Sequence, residues 1–184
     1  MKYFSRGKRG KIYLIKNIAV KKSQKRHTEN EVKYLKLLNK HDIGPRLLSS
    51  GKNYFKYKFI KGMFILDYVK LNNKNKIKKV LVNILRQCRI LDKLKINKLE
   101  MHNPCKHIII DKKPVMIDFE RCYFTNKPKN VTQFCQFIMS NKLILLLKHK
   151  KIKMNRKKLI ASVKIYKKTY NKKDFNNILK LLKS

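Results

Sequence analysis

Val115-Met116-Ile117-Asp118-Phe119-Glu120 is the stretch on which the fold turns. A short apolar run ends on an acid and is followed by an aromatic. The run reads as a buried strand. An Asp at its end can project into a cleft and bind a divalent cation across the phosphates of a nucleotide, or it can merely start a turn. The chain has only ten Asp and Glu against 49 Lys and Arg. Acids are not needed here for solvation, so one placed behind an apolar strand needs another reason. Just upstream, Ile108–Ile110 and the turn Asp111-Lys112-Lys113-Pro114 complete a hairpin with Val115–Ile117.

Before this hairpin, Ile77, Val80, Leu81, Ile84, Leu85, Cys88, Leu91 and Leu94 form one apolar stripe, which predicts a long helix over residues 74–95. After it, residues 131–148, 155–169 and 173–183 read as closing helices, and residues 121–130 as a short basic loop. Near the start, Lys11–Ile15 and Asn17–Lys21 read as two strands behind a turn at Ser5–Gly10. Thr28–Lys40 reads as a helix stopped by Gly44-Pro45, with Thr28 and Glu31 matching a capping box. Strands follow near Leu47–Ser50 and Tyr54–Ile60, and Lys61-Gly62 breaks the pattern. The expected class is α+β: a small sheet with one helix over residues 1–60, then a mostly helical part over 61–184.

Composition narrows the function classes. A formal net charge of +39 repels itself and attracts polyanions, so RNA, DNA, nucleotides and acidic proteins are the candidate partners. The abundance of Lys, Ile and Asn together also fits compositional drift, with much of the Lys as solvated surface. Cys88, Cys105, Cys122 and Cys135 form no CxxC pair and no zinc-spaced cluster. They read as free thiols in a reducing cytoplasm. No apolar run approaches the ~20 residues of a membrane span, and no signal peptide opens the chain. No GxxxxGK[ST] occurs, which excludes a P-loop NTPase.

Two more features bear on chemistry. Ser5-x-Gly7-x-x-Gly10 lies between strands rather than before a helix, so it is not a dinucleotide fingerprint. Its glycines let backbone amides approach phosphate, although an ordinary hairpin turn has the same look. Ala19-Val20-Lys21 puts a lysine behind apolar strand residues, where it can reach phosphates; Lys22 is the neighbouring alternative.

The order glycine loop, strand lysine, helix glutamate, long helix, loop, hairpin and Asp-Phe resembles the protein-kinase-like superfamily. Within it, the chain is most similar to the small atypical RIO-type serine/threonine kinases and an archaeal kinase-like group, over about residues 4–140. The resemblance implies a minimal two-lobed fold, with ATP and Mg²⁺ or Mn²⁺ as cofactors. It implies that Gly7 and Gly10 cover the triphosphate and that Lys21 holds the α and β phosphates. Glu31 would pair with Lys21, unless its carboxylate turns back to the helix start as a cap; Glu29 is then the substitute. Phe59-Ile60-Lys61-Gly62 looks like the hinge, with Ile60 meeting adenine through backbone groups, and Asp118 would bind the metal. Related proteins work beside ribosomal RNA or tRNA, which makes a ribonucleoprotein partner an expectation.

The loop before the hairpin departs from the family pattern. His107 stands where a metal-binding Asn belongs, and Glu100-Met101-His102 resembles the Asp-Leu-His of atypical kinases. Glu100 is the first candidate base. Counting back from His107 gives His102 instead. Glu120 replaces the usual Gly after Asp-Phe and could assist the metal or pair with Arg121. The expected activity is phosphoryl transfer to a protein, with an ATPase switch or an RNA-binding scaffold as alternatives.

Overall fold

A computed structural model describes residues 1–183. The architecture is α+β, and the chain divides into two compact units: Met1–Gly62 with Val115–Cys122, and Met63–Pro114 with the remainder. Ser184, the last residue of the expected helical part, lies outside the described residues.

The first unit is built on an antiparallel sheet of β1 (Lys2–Arg6), β2 (Gly10–Ile15), β3 (Ile18–Ser23), β4 (Leu47–Gly51) and β5 (Tyr54–Lys58), in the order β1-β2-β3-β5-β4. The strand β1 is absent from the sequence reading, because Lys2–Arg6 lacks an apolar alternation: four of its five residues are exposed. Lys16 at φ +52 closes the two-residue link between β2 and β3. Register fixes the two faces. Ile12 pairs with Lys21, and Lys21 with Phe55, so these three share one face. Lys11 pairs with Lys22, and Lys22 with Tyr54, on the other.

Helix α1 (Lys25–Asn39) buries Val32, Tyr34, Leu35 and Leu38. It starts three residues earlier than the pattern predicts, with Gln24 as N-cap. Thr28 therefore lies inside the first turns, where its hydroxyl meets that of Ser23 at 2.8 Å. The capping-box reading is wrong, and Glu31 is released from that role. The stop at the other end is built by Asn39. Its amide donates to the carbonyls of Ile43 and Pro45, and its oxygen accepts from the Leu47 amide, which ties the following loop to the helix, while the amides of Lys40, His41, Asp42 and Ile43 take the last helix carbonyls. Gly44 takes φ +84 beneath Leu35 and Phe119, where a Cβ would lie 2.9 Å from each ring or methyl.

The second unit opens with β6 (Met63–Phe64) and α2 (Ile65–Leu71), followed by α3 (Lys74–Lys93), β7 (Ile96–Lys98) and a single 3₁₀ turn, Leu99–His102. β8 (Ile108–Ile110) pairs antiparallel with β6. The turn at Asp111–Lys113 then leads into β9 (Pro114–Met116), which carries the chain into the first unit. β10 (Cys122–Phe124), α4 (Asn130–Ile138), α5 (Asn141–His149), α6 (Arg156–Thr169) and α7 (Lys172–Lys183) complete the chain. The expected helix over 131–148 is two helices, because Ser140 caps a new start and accepts from the Leu143 amide. The expected loop at 121–130 contains β10.

The buried stripe of α3 meets a polar anchor at its end. Asp92, 4% exposed, accepts hydrogen bonds from Asn130 (backbone and side chain), the Val131 amide and the Tyr166 hydroxyl. Burial raises Asp92 above the ordinary carboxylate range, and these donors pull it partly back. Arg89 donates to the Tyr166 hydroxyl and to the Tyr170 carbonyl, where α6 ends in a left-handed residue. Cys88, Cys122 and Cys135 are buried free thiols. Cys105 is half-buried and donates to the Asn103 side-chain oxygen. Among the described residues, no helix is long and apolar enough to cross a membrane.

Candidate functional site

The charged centre of the first unit forms around Lys21. β3 presents its side chain on the same face as Phe55, and α1 brings Glu31 opposite it. The Lys21 ammonium donates to Glu31 Oε2 at 2.7 Å and to Asp118 Oδ1 at 2.5 Å. Glu120 Oε2 lies 3.8 Å away. The other oxygen of Glu120 accepts from Arg9 Nη1 of the glycine loop at 3.0 Å. Glu31 Oε1 accepts from the Phe119 amide, so one carboxylate holds both the lysine and the backbone beside Asp118.

Local conformation places the two later acids. The strand ends at Met116, two residues before Asp118, and Asp118 itself takes φ +68. Asp is among the few residues that tolerate this left-handed region. Asn30, beside Glu31 on α1, donates to the carbonyls of Glu120 and Cys122 and fixes the segment that follows.

The electrostatics are those of a crowded buried cluster. Burial alone would lower Lys21, but Glu31 and Asp118 outweigh it and hold the ammonium charged well above the usual lysine range. Burial raises Glu31, Lys21 pulls it down, and Asp118 pushes it up. Burial also raises the nearby Tyr57 hydroxyl, to about 12. Glu31, Asp118 and Glu120 each place one oxygen within 4.8 Å of the others. Lys21 and Arg9 are cations that pair with these carboxylates. Glu120 Oε2 is buried and accepts no hydrogen bond. A hard divalent cation takes oxygen ligands, and this buried carboxylate oxygen without a hydrogen bond is one it could use.

The remaining candidates of this unit are placed as follows. Gly7 donates to the Gly10 carbonyl at 2.9 Å and closes the loop. Gly10 has a structural reason to be glycine, since a Cβ would lie 2.6 Å from the Lys22 carbonyl oxygen. Ile60 is half-buried beyond β5. Lys22 is exposed on the opposite face, and Glu29 is exposed beside Lys25 at 3.8 Å. Lys21 and Glu31 are thus distinguished from their neighbours by burial.

Glu100, His102 and His107 belong to the second unit. Glu100 is 7% exposed and accepts from the ammonium of Lys98 at 2.9 Å, and Lys98 is fully buried. Lys98 escaped the sequence reading, because one lysine among so many carries no signal; its only mark is its position two residues before the buried acid. His102 is exposed, and its Nδ1–H donates to the Leu99 carbonyl at 2.8 Å. His107 is half-buried and is not part of the three-acid cluster. Comparison of the chain with protein-family models and with curated proteins finds no match.

Proposed function

We propose that the first unit binds ATP with a divalent cation and that the chain is a minimal protein-kinase-like phosphotransferase of the atypical, RIO-like kind. The observation that carries this reading is the ammonium of Lys21 held by both Glu31 and Asp118, ten and 97 residues further along the chain. A surface lysine needs neither partner. Lys21 would hold phosphate oxygens, Glu31 would keep it oriented, and Asp118 with Glu120 would hold the cation. When bound, the cation neutralises phosphate charge as the bond breaks. Gly7 and Gly10 would bring loop amides to the triphosphate, and Ile60 would meet the adenine. The candidate base is Glu100, which accepts from Lys98, or His102, and His107 is the further candidate for a metal.

The test uses γ-labelled ATP with Mg²⁺ or Mn²⁺, following labelled protein and released phosphate. Lys21→Ala and Asp118→Ala run beside the wild type. Label or phosphate that appears in the wild type and vanishes in both variants supports the proposal, and the product separates kinase from ATPase. No turnover in the wild type, or turnover unchanged in the variants, overturns it.

A further inference from the structure

The face of the sheet opposite Lys21 has a different chemistry. Two cross-strand rows lie on it. Arg6, Lys11, Lys22 and Tyr54 form one; Tyr3, Tyr13, Val20 and Lys56 form the other. The first row is basic up to Tyr54, and the second places two tyrosines beside it, with Val20 buried before Lys56. Tyr3 and Tyr13 meet edge to face at 6.0 Å, and the Lys22 ammonium lies over the Tyr13 ring at 5.3 Å. Tyr3 and Tyr54 stay exposed, 55% and 39%. At one end, this face runs into a concavity of about 630 Å³ whose walls carry Arg6, Lys8, Arg9, Lys11, Lys22 and His27 and no acidic side chain.

Folding alone does not account for this arrangement. Lys11 and Lys22 stand directly opposite each other, and like charges at that position are destabilising. Exposed tyrosines on an open sheet face add nothing to the core. A ligand with regularly spaced negative charges and flat apolar faces would relieve the first cost and use the second feature. We propose that this outer sheet face binds single-stranded nucleic acid, with phosphates in the basic concavity and bases against Tyr3, Tyr13 and Tyr54. An acidic protein would satisfy the lysines but not the aromatic platform. Tyr3, Tyr13 and Tyr54 lie on the face away from the Lys21 side chain, whereas the concavity shares Arg9 and the loop of Gly7 and Gly10 with the candidate nucleotide site.

The experiment measures fluorescence anisotropy of labelled oligouridylate and oligothymidylate of roughly ten nucleotides over a salt series, without ATP. With a net charge of +39, diffuse attraction is expected everywhere, so the control decides. Lys11→Gln/Lys22→Gln should lose at least about tenfold in affinity near 0.1 M salt and lower the salt slope by about 1.4. Its thermal stability should not fall, because a like-charge pair has been removed. Lys157→Gln/Lys158→Gln removes the same charge from the exposed start of α6 and should bind like wild type. Tyr3→Leu/Tyr54→Leu should weaken oligonucleotide binding about fivefold or more while leaving heparin, a polyanion without bases, unaffected. Equal preference for the two oligomers marks a general single-strand site, and preference for the uridylate marks RNA. Equal losses in the two lysine variants, or equal losses of heparin and oligonucleotide in the tyrosine variant, would overturn the proposal.

Discussion

Replacing Lys21 by Met removes the cation that two buried or half-buried carboxylates share and leaves the apolar stem almost unchanged. The Glu31 side chain is 4% exposed, so it cannot turn to water. Breaking a buried pair by removing one partner typically costs 3–5 kcal/mol. Asp118 is 34% exposed and can rehydrate, which places the expected loss near the lower end, about 3 kcal/mol at neutral pH. Without the lysine, Glu31 meets the loss by taking up a proton, because burial already raises it and Lys21 was the main influence pulling it down. Its folded value then stands further above the unfolded one, near ~4.3. The native state holds the extra proton, so stability is greatest below the unfolded value and falls as pH rises through the folded value. The slope approaches about 1.4 kcal/mol per pH unit. Urea unfolding followed by far-ultraviolet circular dichroism between about pH 5 and 8 measures it. The double variant Lys21→Met/Glu31→Gln should lose most of the slope. A single variant within ~0.5 kcal/mol of wild type throughout, or one with the same slope as the double variant, would refute the reasoning.

Other outcomes follow from single contacts. Gly10→Ala drives a Cβ to 2.6 Å from the Lys22 carbonyl oxygen and should cost about 2 kcal/mol in thermal unfolding, whereas Gly7→Ala, with 3.9 Å of room, should stay within ~0.5 kcal/mol of wild type. Gly44→Ala combines a left-handed backbone with contacts of 2.9 Å to Leu35 and Phe119 and should cost about 3 kcal/mol by the same measurement. Tyr166→Phe takes one donor from buried Asp92 and should cost about 1–2 kcal/mol at pH ~7. Asp92 already binds its proton more tightly when folded, so this loss should shrink as pH falls toward ~4, which denaturation at the two pH values checks.

The sequence carried some of this more clearly than the rest. The apolar stripe of α3 and the hairpin strands were legible, because a buried face imposes a period on the side chains. Lys21, Glu31 and Asp118 were singled out by their order along the chain, and the structure brings those three together. Which lysine mattered could not be read from type alone; burial separates Lys21 from Lys22. The start of α1 was misread because Thr28 and Glu31 have cap spacing, while the helix really begins on Lys25 behind an uncapped Gln24. β1 was invisible because its exposed face gives no apolar alternation, and α2 was missed because seven residues are too few for a clear period. Long-range partners such as Arg9 with Glu120, or Asn30 with the Glu120 carbonyl, exist only once the chain is closed.

The distribution of the four thiols gives the protein a built-in reporter. Cys88 and Cys135 are buried, and burial followed by the charge of Asp92 pushes both well above the ordinary thiol range, so neither offers thiolate in the native state. Cys122 is buried as well. Only Cys105 meets solvent, three residues after His102. A thiol-directed dye added to the native chain therefore lands at one place, beside the candidate base, and no engineered cysteine is needed. Cys88 and Cys135 lie in the second unit and Cys122 at the edge of the first, so the order in which later labels arrive tells which unit opens first.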